Sequence, residues 1–126
     1  MLILNHPSIE SLNLVFITNK EQIADTLPTD FLILSCGDFS QTLALARFCK
    51  ENGIPYASQV SSLKEALLLV NLNVRFLLSC TIPLAQNLQK LAETYLFDAK
   101  ILLCIQEEER IEEVAQYGID GVIFVA

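Results

Sequence analysis

The chain has 126 residues, 52% of them hydrophobic and 18% charged, with no Trp and a formal net charge of −7. That length makes a single domain, 1–126, able to bury roughly two thirds of its unfolded surface. The acidic balance, with no Lys/Arg cluster, argues against nucleic acid and anionic membranes as partners. No stretch approaches the length needed to span a bilayer. The opening MLILNHPSIE has no basic residue and too short an apolar run for a secretory signal, so a cytoplasmic protein is expected. Cys36, Cys49, Cys80 and Cys104 are widely spaced in apolar segments. They read as reduced, buried and unreactive thiols rather than a disulfide framework or a zinc site.

In chain order, Met1–Asn5 is apolar but brief, and His6-Pro7 breaks it; it is either a short edge strand or a packed tail. Asn13–Thr18 reads as the first strand, followed by capping-box patterns (Thr18 with Glu21, Asn19 with Gln22) for a short helix stopped by Pro28. Phe31–Cys36 is the second strand, with Asp38 opening a helix that Asn52-Gly53 ends. Pro55–Val60 is shorter and more polar, which places it near an edge. Ser62 and Glu65 open a helix to about Leu72, with Leu63, Ala66, Leu67 and Val70 on the face toward the sheet.

Arg75–Cys80 is a further strand. Thr81 and Pro83 begin a helix whose apolar stripe is Leu84, Leu88, Leu91, Ala92 and Tyr95, with Gln86, Gln89, Lys90 and Glu93 outward. Ala99–Ile105 follows, then a helix with Glu107–Glu109 in its first turn, Gly118 as its terminator, and a closing strand Gly121–Ala126. The repeated unit of apolar strand, polar turn and capped helix is clearest at Phe31–Asp38 and returns at Phe76–Thr81. It specifies an α/β fold with a mainly parallel sheet of five to six strands. The preferred arrangement is three-layer and doubly wound, with helices on both faces; the alternative is a partial (β/α) barrel.

Familiar chemistry is missing from the turns. Thr18-Asn19-Lys20-Glu21 is no glycine-rich dinucleotide turn, and no GxxxxGK[ST] occurs. The tail Gly118–Phe124 resembles the late strands of phosphate-binding barrels, which often read Gly-x-Asp-Gly before apolar residues. The resemblance covers seven residues and lacks the glycine-containing turn that such barrels close on phosphate. A helix cap at Gly118 and a turn at Asp120-Gly121 account for the same residues.

In a parallel sheet the turns after the strands gather along one edge, where ligands bind. The candidate ligand-binding set there is Thr18, Asn19, Cys36, Gly37, Asp38, Gln59, Ser61, Cys80, Thr81 and Gln106, and this edge is expected to hold the polar concavity. These side chains are mostly small donors and acceptors, poor in groups that titrate near neutral pH. The only His, His6, has no expected position near them. Cys36 and Cys80 would share a pocket if their strands were neighbours. No catalytic residue, metal or cofactor is expected. The leading expectation is a non-enzymatic module working by self-association or a protein partner. A binder of small molecules, phosphorylated ones included, comes next, and an enzyme at the same edge last. The 62–72 helix, apolar beyond one face, supplies the expected homodimer surface through Leu68, Leu69 and Leu72.

Overall fold

The computed structural model describes residues 1–125. Seven strands and five helices alternate after the first strand: β1 (Leu2–Leu4), β2 (Leu14–Ile17), α1 (Lys20–Ala24), β3 (Phe31–Leu34), α2 (Phe39–Glu51), β4 (Ala57–Gln59), α3 (Leu63–Val70), β5 (Phe76–Ser79), α4 (Ile82–Tyr95), β6 (Lys100–Ile105), α5 (Arg110–Ala115) and β7 (Gly121–Phe124). All pairings are parallel, in the order β1-β7-β6-β5-β4-β3-β2. The α/β parallel sheet read from the sequence is present, with seven strands instead of five to six. The extra strand is β1, which the His6-Pro7 break shortens but does not prevent. From β2 to β7 each strand pairs with its successor, an order that matches the partial-barrel alternative.

Alternation along the strands sorts the core into two clusters. Leu32, Leu34, Leu77, Ile101, Leu103 and Val122 pack against helix residues such as Ala46, Leu69, Leu88 and Val114. Ile33, Ala57, Leu78, Leu102 and Ile123 form the second cluster. These five come from strands alone, so the curl of the sheet keeps them from water.

Gly121 lets β1 join. A Cβ there would collide with the Leu2 carbonyl oxygen and lie 2.7 Å from Leu2 Cβ, so only glycine lets the two backbones come this close. Asn5 then fastens the strand end, its Nδ2 donating to Phe124 O at 2.9 Å while its Oδ1 accepts from Leu12 N at 2.8 Å.

Four local expectations are corrected. β4 is flanked on both sides by β3 and β5, not near an edge, because its polar Ser58 is fully buried with its hydroxyl donating to Gln59 O. On α3 the buried residues are Ala66 and Leu69, with Val70 and Leu72 half-buried against the core. Leu69 is therefore not an interface residue; Leu63, Leu67 and Leu68 are the exposed leucines. On α4 Gln89 is buried and Tyr95 is 66% exposed, the reverse of the amphipathic reading, because Gln89 has a partner across the fold. Glu107 and Glu108 precede α5, and Glu109 occupies its N-cap position.

Candidate functional site

Nine of the ten candidate residues lie just beyond the C-terminal ends of the strands, the tenth, Gln59, is the last residue of β4, and four of them are engaged at helix starts. Asn19 caps α1 in a full capping box, its Oδ1 accepting from Gln22 N at 3.0 Å. The Gln22 side chain in turn accepts from Thr18 Oγ1 at 3.1 Å. Asp38 caps α2, accepting from Ser40 N at 3.0 Å and from Ser40 Oγ at 2.9 Å. Ser61 donates its N–H and hydroxyl to Glu65, which sits in the first turn of α3. Thr81 is the exception: it stands at the N-cap of α4 with no side-chain capping bond. Gly37 and Gln106 are exposed.

Two associations cross between strands. Cys36 Sγ lies 3.7 Å from Thr18 O, joining the ends of β2 and β3. Gln59 Nε2 donates to Cys80 Sγ, joining β4 and β5. Cys36 and Cys80 do not share a pocket, because β4 lies between their strands. The neighbour of Cys80 is Cys104: Ser79 pairs with Leu103, so the next residues on β5 and β6 stand side by side. Burial first, then the adjacent Cys80, push the Cys104 thiol up to about 12. Burial alone raises Cys49, to about 11. The expectation of uniformly buried thiols holds for Cys49 only; Cys36 and Cys104 are half-buried and Cys80 is exposed. The sequence signal for Cys104 was its matching place at the end of the next strand.

The cavity lies at the other edge. A space of about 590 Å³ opens at the N-terminal ends of the strands, its walls including Leu4, Leu12, Phe31, Ala57, Phe76 and Arg75. The expectation of a polar concavity at the turn edge is corrected accordingly. Ala57 makes the room: its methyl lies between β3 and β5, while the rings of Phe31 and Phe76 meet with centroids 5.5 Å apart.

Polar groups mark the rim. Asp30 Oδ2 accepts from Leu27 N at 2.9 Å and Oδ1 from Asn13 Nδ2 at 2.8 Å. The Leu27 bond first, then that from Asn13, hold the Asp30 carboxyl below its usual range. Tyr56 turns its hydroxyl away, donating to Leu72 O at 2.7 Å, and burial raises its pKa. The Arg75 guanidinium lies 5.6 Å over the Phe76 ring and forms no ion pair among the described residues. An apolar hollow with one uncommitted cation at its mouth can hold a mostly hydrophobic molecule and fix its polar end.

Among the described residues no group of three or more His, Cys, Asp or Glu side chains is placed to hold a metal ion. Among the described residues no helix is long and apolar enough to cross a membrane. Compared with known proteins, the chain matches no protein-family model and no curated relative.

Proposed function

We propose that the protein is a non-enzymatic binding module whose ligand is a small, mostly apolar molecule held in the N-terminal cavity. The observation that carries this is the aromatic and aliphatic lining of that cavity, with Arg75 at its mouth. Its volume falls in the range of ordinary ligand pockets. Binding rather than turnover fits the rim, where Asp30 is committed to two hydrogen bonds and Tyr56 to a backbone carbonyl. A reducing, cytoplasmic setting goes with four free cysteines.

The probe for this reading is anilinonaphthalene sulfonate, an apolar aromatic carrying one anionic group. Wild-type protein should bind it saturably, with amide shifts at Phe31, Ala57 and Phe76. Ala57→Leu, which fills the hollow, should abolish binding, and Arg75→Met should weaken it about tenfold. Non-saturable binding, or binding that Ala57→Leu leaves intact, would remove the cavity as a ligand site.

A second reading, self-association, is favoured by α3, where Leu63, Leu67 and Leu68 are between 36% and 40% exposed on one short helix. Three partly exposed leucines on one helix supply the centre of a homodimer interface. The surface is the helix expected from the sequence, turned to present Leu63 and Leu67 together with Leu68.

A further inference from the structure

Ser79 pairs with Leu103, so Cys80, the residue after β5, stands beside Cys104 of β6; Cys80 is exposed and Cys104 half-buried. Adjacent strands lie about 4.8 Å apart, which falls within the Cα separation that a disulfide spans. Gln59 approaches from β4, on the other side of β5, and donates its amide to the Cys80 sulfur. An amide donor thus already sits on the sulfur of the exposed cysteine. Neither Cys36, whose contact is a backbone carbonyl, nor the fully buried Cys49 has such an arrangement.

We propose that Cys80 and Cys104 form a thiol–disulfide exchange site for low-molecular-weight disulfides, with Cys80 as the attacking sulfur and Cys104 as the resolving one. The Cys80 thiolate attacks one sulfur of a small disulfide such as oxidised glutathione. A Cys80–glutathione bond forms, the glutathione S–S bond breaks, and one glutathione leaves as its thiolate and takes a proton. Cys104 then gives up its proton and attacks Cys80 Sγ. The mixed disulfide breaks, a Cys80–Cys104 bond forms, and the second glutathione leaves. The protein loses two electrons and two protons, and the small disulfide becomes two thiols. Burial, which raises the Cys104 thiol, keeps it from being the first to attack.

The test uses the full chain, confirmed folded by circular dichroism, incubated with oxidised glutathione and read by intact mass and non-reducing peptide mapping. Wild type should end two hydrogens lighter, with Cys80 linked to Cys104, and modification of Cys80 should run about tenfold faster than that of Cys49. Cys104→Ser should instead accumulate one glutathione on Cys80, and Cys36→Ser should match wild type. A wild type that keeps glutathione on Cys80 without forming the link, or that links another pair, would overturn the assignment. First reaction at Cys36 would overturn it as well. Because the wild-type outcome alone decides, a variant that fails to fold leaves the test intact.

Discussion

Gln89 and Asp120, 31 residues apart, exchange hydrogen bonds in both directions: Gln89 Nε2 donates to Asp120 Oδ1 at 3.1 Å, and Asp120 N donates to Gln89 Oε1 at 3.0 Å. The other carboxylate oxygen accepts from Ile101 N at 2.9 Å, so one aspartate ties α4, β6 and the approach to β7 together. Removing either partner strands buried polar groups. Asp120→Ala should cost on the order of 3 kcal/mol, and Gln89→Ala somewhat less. A double-mutant cycle in urea should give a coupling above about 1 kcal/mol, and additivity would show the clasp to be energetically idle.

Gly121→Ala places a methyl against the Leu2 carbonyl. It should cost about 1–3 kcal/mol and free β1 from the sheet. Hydrogen exchange checks this directly. The Leu2 amide, which donates to Asp120 O at 2.8 Å, should lose protection, while amides of β5 and β6 keep theirs.

The α3 leucines separate by role. Leu69→Ala should destabilise by about 2–5 kcal/mol, as expected for a fully buried leucine. Leu67→Lys with Leu68→Glu should leave stability within about 1 kcal/mol of wild type and convert a dimer to a monomer by light scattering. A monomeric wild type, or a variant that remains dimeric, eliminates this surface.

Helix caps should divide in the same way. Asp38→Ala removes bonds to Ser40 and should cost about 1 kcal/mol. Thr81→Ala removes no capping bond and should cost only a few tenths. Thermal melts of the two variants settle the contrast; equal losses would mean that the Thr81 hydroxyl caps α4 in solution.

Asp30 gives the rim of the cavity a pH dependence. Its folded pKa is lowered, so its stabilising effect is present above the unfolded value of about 3.9 and is lost as pH falls through the folded pKa. The Leu27 amide, its partner, should therefore shift and lose exchange protection at acid pH, while in Asp30→Asn its titration below pH about 4 should disappear.

What was legible in the sequence is what neighbours in the chain decide. Phe31–Leu34 and Phe76–Ser79 are apolar runs of strand length, and Asp38 and Ser62 announce their helices through bonds only two or three residues long. The phase of α3 was not legible, because Leu63 and Leu69 are chemically alike and the sheet alone chooses between them. Gln89 looked like an outward polar residue because its partner lies on another element. The cavity was hidden for the same reason: it depends on Ala57 being small between Phe31 and Phe76, which three separate segments bring together. Of the turn-edge residues, Thr18, Asn19, Asp38 and Ser61 spend their hydrogen bonds at helix starts, a local use that the same residue types would also show at a ligand site.

The strand order also fixes an order of assembly. From β2 to β7 each strand can pair with the one before it as soon as the intervening helix is made, so these units can close in succession. β1 precedes them all yet pairs only with the last, Leu2 against Gly121, across 119 residues, a span Asn5 and Phe124 share. Its docking surface does not exist until β7 is in place, and three residues of pairing must offset the closure of a long loop. Its docking should therefore be a late and readily reversed event in folding.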